Sequence, residues 1–79
     1  MLINIQYYAI LREQAGRSTE ALETGAATPG ALYAELAKRY PFTLVQDQLK
    51  VAINGEFADF TRNLSADDAV VFIPPVAGG

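Results

Sequence analysis

An α+β fold, with one helix crossing a small mixed sheet, is predicted by three observations on this 79-residue chain. Alternating apolar and polar residues open the sequence, a capped amphipathic stretch follows, and an Asn-Gly pair further on separates two short apolar runs. The length suits one domain with one core, since domains usually run to about 100–150 residues. Hydrophobic residues make up 51% of the chain and charged ones 19%, which is enough to collapse and too little net charge to stay unfolded.

The elements follow in order. Over residues 2–10, Ile3, Ile5, Tyr7 and Ala9 fall on one face and Asn4, Gln6 and Tyr8 on the other, the period of a half-buried strand. Arg12-Glu13-Gln14-Ala15-Gly16-Arg17-Ser18 breaks the alternation, and Gly16 supplies a turn residue before a second strand over 19–23. Thr28 reads as an N-cap and Pro29 as the first residue of a helix that runs to about Tyr40. Leu32, Tyr33, Leu36, Ala37 and Tyr40 form its apolar stripe, Glu35 and Arg39 an i,i+4 pair, and Pro41 its stop. Asn54-Gly55 then joins strands over 50–53 and 56–60, and Val70-Val71-Phe72-Ile73 forms a last strand ended by Pro74-Pro75. The order strand, strand, helix, strand, strand, strand in so short a chain is that of a β-grasp.

Composition excludes most chemistry. With 0 Cys there is no disulfide, zinc-thiolate site or thiol nucleophile, and with 0 His the commonest general base and metal ligand is missing. A net charge of -3 has the wrong sign for tracking phosphates, so nucleic acid is not an expected partner. Nothing resembles a membrane span or a signal sequence, and a cytoplasmic protein is expected. Asp67-Asp68 allows two readings, a hard-cation site or turn residues accepting backbone hydrogen bonds, and their context favours the turn. Lys50, Arg12 and Arg62 are isolated cations, either solvated or in contact with a partner.

Pro74-Pro75-Val76-Ala77-Gly78-Gly79 is the most unusual segment. In extended or polyproline form it reaches roughly 20 Å, enough to place a terminal carboxylate inside another protein's cleft. Without a Cβ, Gly78 and Gly79 can pass a channel that rejects larger residues. An ordinary frayed terminus is the alternative.

Strand parity points to a docking surface on the sheet face opposite the helix. Tyr8 lies opposite the Ile3, Ile5 and Tyr7 set, and Val71 and Ile73 lie opposite Val70 and Phe72. Phe57 is a third apolar member, unless it or Ile73 completes the core.

FIPPVAGG at the end, YYAILRE after the first strand and VAINGE around the hairpin, taken with the β-grasp order, resemble the molybdopterin synthase small-subunit family of ubiquitin-like sulfur carriers. The resemblance spans nearly all of residues 1–79 as one domain with a tail over 74–79. One departure is Asp67-Asp68-Ala69, where family members often place a glycine. The resemblance implies a non-catalytic carrier whose Gly79 carboxylate is adenylated by a ubiquitin-activating-like adenylyltransferase using ATP. That group then becomes a thiocarboxylate, drawing on a sulfur donor protein. The resemblance further implies docking on a large subunit, as a heterotetramer with two copies of each, with residues 74–79 entering that subunit's site. Sulfur then passes to a cyclic pyranopterin to build the molybdopterin dithiolene. Tyr8, Phe57, Val71, Ile73 and Arg12 are the expected partner contacts, and no bound cofactor or metal is expected. Rival readings are a thiazole-pathway (thiamine) sulfur carrier, a modifier forming isopeptide bonds, and a β-grasp interaction module without terminal chemistry.

Overall fold

The computed structural model describes residues 1–75. Its elements are β1 (Leu2–Tyr7), α1 (Ala9–Ala15), β2 (Thr19–Glu23), α2 (Pro29–Arg39), a 3-10 turn (Gln46–Gln48), β3 (Lys50–Ile53), β4 (Glu56–Ala58) and β5 (Ala69–Ile73). The strands form one mixed sheet in the order β2-β1-β5-β3-β4, with β1 and β5 parallel and the other neighbours antiparallel. This is the β-grasp arrangement, α2 covering one face.

Alternation decides which side chains meet the helix. Ile3, Ile5 and Tyr7 of β1, Leu22 of β2, Val51 and Ile53 of β3, and Val70 and Phe72 of β5 are buried with Leu32, Tyr33 and Leu36 of α2. Thr28 caps α2 by accepting a hydrogen bond from the Ala31 amide at 3.2 Å, with Pro29 first in the helix. Arg39 reaches Glu35 at 3.6 Å as the i,i+4 spacing predicts. Asn54 and Gly55 both take positive φ, 53° and 85°, as a two-residue hairpin turn of the primed type requires.

The structure corrects four expectations. The first strand stops at Tyr7, and residues 9–15 form a helix in place of a strand end and a charged turn. Left-handed backbone at Ala9, φ 50°, turns the chain, and Leu11, fully buried, pins the new helix to the core. Gly16, at φ 74°, terminates that helix by donating its amide to the Arg12 carbonyl. Second, Ala37 is exposed, because a step of about 100° per residue carries it past the edge of the stripe built on Leu32 and Leu36. Third, β4 ends at Ala58, not Phe60. Phe60 leaves the strand to stack on Phe72, ring centroids 6.3 Å apart, and takes the core position that Phe57 does not. Fourth, a short 3-10 turn precedes β3 where no element was expected.

Candidate functional site: the outer sheet face and the tail exit

Opposite α2 the sheet presents a second face whose members follow from register. Gln6 of β1 faces Val71 of β5, Val71 faces Ala52 of β3, and Ala52 faces Phe57 of β4, giving one row across the sheet. In the next row towards the tail, Ile73 faces Lys50. Tyr8, one residue past the Tyr7–Phe72 pair, keeps extended backbone at φ -126° and ψ 154° and turns its ring outward. Tyr8 is 45% exposed and Phe57 74%, while Val71 and Ile73 are half-buried. The alternative in which Phe57 completes the core therefore fails, and Ile73 stands on the side away from Phe72. Arg12 is exposed in the last turn of α1, off the sheet, and makes no ion pair with any described residue.

Because β1 and β5 run parallel, both deliver their C-terminal ends to one edge of the molecule, where Pro74 and Pro75 leave the sheet. There Ile73, Pro74 and Pro75 line a hollow of about 320 Å³ with Asp47, Gln48, Leu49 and Lys50. The apolar residues singled out by parity thus share one face, with Tyr8 and Ile73 at the edge where the tail leaves and Val71 and Phe57 one row in from it. Val76, Ala77, Gly78 and Gly79 lie outside the described residues.

Asp67 and Asp68 lie at the opposite edge, and their hydrogen bonds are those of a turn. Asp67 is left-handed, φ 68°, a conformation aspartate tolerates better than most residues. Asp68 accepts from the Ser65 amide at 2.8 Å and from Asn54 Nδ2 at 2.9 Å, and these two bonds hold its carboxyl below the usual range. Among the described residues no group of three or more His, Cys, Asp or Glu side chains is placed to hold a metal ion.

One polar cluster escaped the sequence reading. Glu20 Oε1 accepts from Tyr7 Oη at 2.8 Å and Tyr40 Oη at 2.9 Å, while Arg17 approaches its other oxygen at 3.5 Å. Burial, reinforced by that carboxylate, pushes the Tyr7 hydroxyl far above the ordinary tyrosine range. Strand parity puts Glu20 on the core side, opposite Ile5, but a carboxylate there carries no sequence signal for its phenol partners.

Comparison with known proteins places the chain. A model of the ThiS family matches residues 5–79. The chain belongs to the ThiS family. It is 34% identical over 83 residues to the molybdopterin synthase sulfur carrier subunit of Escherichia coli strain K12, covering 99% of this chain and 100% of that one. The crystal structure of small archaeal modifier protein 1 from Haloferax volcanii superposes with a TM-score of 0.79 at 28% identity, covering 95% of this chain and 98% of that one. A complex of subunits 1 and 2 of molybdopterin-converting factor from Helicobacter pylori contains a chain matching with a TM-score of 0.69 at 19% identity and full coverage of both, a likeness of fold. Among the described residues of this ThiS-family chain, no helix is long and apolar enough to cross a membrane.

Proposed function

We propose that this chain is the sulfur carrier subunit of molybdopterin synthase, with the α-carboxyl group of Gly79 as its working group. The observation that carries the reading is the end-to-end match to a protein of that name, 99% of one chain on 100% of the other, with the family match running through residue 79. A chain with 0 Cys and 0 His has no side chain suited to carry activated sulfur. A carboxylate is a poor electrophile until an oxygen becomes a leaving group. Adenylation by a ubiquitin-activating-like enzyme, which consumes ATP, supplies that leaving group. Sulfide-level sulfur released by a donor protein then attacks the acyl carbon and expels AMP, giving the thiocarboxylate. The thiocarboxylate delivers sulfur to a cyclic pyranopterin in the large subunit and returns to the carboxylate as water replaces the sulfur. The chain itself holds no cofactor and acts in the cytoplasm.

Docking on the large subunit, as two copies of each, uses the outer face, with Tyr8, Phe57, Val71 and Ile73, and Arg12 of α1 as a contact off that face. Pro74 and Pro75 stiffen the start of the tail, and Val76, Ala77, Gly78 and Gly79 enter the partner's site. The likeness to a modifier protein favours one further reading, in which the same activated carboxyl forms isopeptide bonds.

Adding one residue after Gly79 separates these readings from an inert module. The extension moves the carboxylate by roughly 3.5 Å, when about 1 Å of misplacement can cost two orders of magnitude at a reacting centre. With ATP, activating enzyme and sulfur donor, the native chain is expected to exchange one oxygen for sulfur by intact mass. The extended chain should fold and dock yet form no thiocarboxylate. Sulfur transfer by an extended chain shown to be intact would overturn the proposal, and an isopeptide product from the native chain would favour the modifier reading.

A further inference from the structure

The outer sheet face is nearly free of charge. Register assigns it Leu2, Asn4 and Gln6, then Thr19, Ala21 and Glu23, then Ala69, Val71 and Ile73, and finally Lys50, Ala52 and Phe57. Of its two charged members, Glu23 sits at a far corner and holds the amino-terminal ammonium at 2.9 Å. Lys50 stands beside Ile73, with its ammonium 5.9 Å from the centre of the Phe57 ring, so it lies between the two apolar groups best placed for docking. It forms the ridge between two hollows, one shared with Asp47 and Pro74, the other with Phe57 and Asp59. Asp47 and Asp59 each line one of these hollows, and among the described residues Lys50 forms an ion pair with neither.

We infer that Lys50 is a specificity-determining contact of this face, and that the protein docking here presents a carboxylate to it beside the point where the tail leaves the sheet. The inference rests on the proposed docking face and adds the chemistry of the surface that covers it. A partner lying over Val71, Ile73 and Phe57 removes water from the Lys50 stem. The ammonium stays at the rim of that contact, where a partner carboxylate gains a modest amount and a partner cation is penalised. The carboxylate's gain is a short-range, charge-assisted contact with the ammonium, on a protein whose net charge of -3 adds no long-range pull of its own toward an acidic group. Apolar contact is tolerant of its partner, whereas a cation among these apolar groups disfavours a surface that brings a second cation to that spot.

Binding to the molybdopterin synthase large subunit of the same organism, measured at low and high salt, tests this. Lys50→Met keeps the stem and removes the charge. It is expected to bind about twofold to fivefold more weakly at low salt, the range of a rim ion pair, and to converge on the native chain at high salt. Lys50→Glu should lose on the order of tenfold or more at low salt and recover part of it as salt rises. In the native complex, a carbodiimide should join Lys50 Nζ to a partner carboxylate by an amide bond, the lost oxygen leaving as urea, and peptide mass spectrometry locates both ends. A Lys50→Met variant with native affinity and salt dependence overturns the inference while leaving the docking face intact. Cross-links from Lys50 only to Asp47 or Asp59 of its own chain do the same. Failure of the native chain to bind at all removes the docking face, and the inference falls with it.

Discussion

Glu20 gathers two phenols on one carboxylate oxygen, and its removal would leave Tyr7, 1% exposed, with a hydroxyl that has no acceptor. An unmade hydrogen bond on a buried group costs about 1–3 kcal/mol, so Glu20→Ala is expected to lose that much in denaturant unfolding, and Glu20→Gln, which keeps an acceptor, less. The same cluster fixes a pH dependence. Burial is the largest cause raising the pKa of Tyr7, Tyr33 and Tyr40 above the ordinary 10.0, and Glu20 adds to it for Tyr7 and Tyr40. The folded chain therefore holds these protons more tightly than the unfolded chain. That contribution is complete below the unfolded pKa and is lost as pH rises through 10 and beyond. Unfolding midpoints measured across that range should fall, and absorbance titration should show tyrosines ionising late. An ordinary tyrosine titration of the folded protein would sink this account. None of it was legible in the sequence, where Glu20 is one residue of an alternating strand and its phenol partners lie 13 and 20 positions away.

At the scale of elements, the seat of α2 depends on a glycine at its second position. The Gly30 amide donates to the Phe60 carbonyl at 3.0 Å, and a Cβ built on Gly30 would lie 3.3 Å from that carbonyl and 3.0 Å from Gln46 Oε1. Gln46 can swing its side-chain tip away. Phe60 cannot withdraw without losing the bond, and its ring is stacked on Phe72. Alanine in a helix usually gains about 1 kcal/mol over glycine, but crowding of this kind costs about 1–3 kcal/mol. Gly30→Ala is therefore expected to be destabilising by about 1 kcal/mol, read as a lower melting temperature, and a rise would show that the loop yields. Elements carrying local signals were legible. Thr28-Pro29 starts α2 and Asn54-Gly55 turns the hairpin because each pair satisfies a backbone requirement on the spot. The short helix α1 was not, because Ala9 extends the strand's alternation by one more position and only Leu11, buried by tertiary contact, shows that the chain has turned. Its surviving clues are a run of good helix formers from Ala9 to Ala15 and the glycine that ends it.

Across the whole molecule, the sheet divides labour between two faces, and parity made both legible: one packs α2, the other stays open beside the tail exit. The position of Lys50 within the open face needed the β3–β5 register, which long-range pairing sets. The division predicts that charge introduced on the open face harms binding and not folding. Tyr8 is 45% exposed and Ile73 half-buried, each next in sequence to a core aromatic, Tyr7 at 1% and Phe72 at 0% exposure. A carboxylate at 8 or 73 stays in contact with water in the free protein and, on the proposed docking, would be buried against apolar surface only in the complex. Tyr8→Glu and Ile73→Glu are therefore expected to keep native circular dichroism while weakening binding to the large subunit on the order of tenfold or more. Phe72→Glu, which places the same charge in the core, should unfold the chain and marks the boundary between the faces. If Tyr8→Glu and Ile73→Glu both bind normally, partners dock elsewhere and the open face is only a solvated surface. If both unfold, those side chains belong to the core, and exposure at the tail edge has misled the assignment.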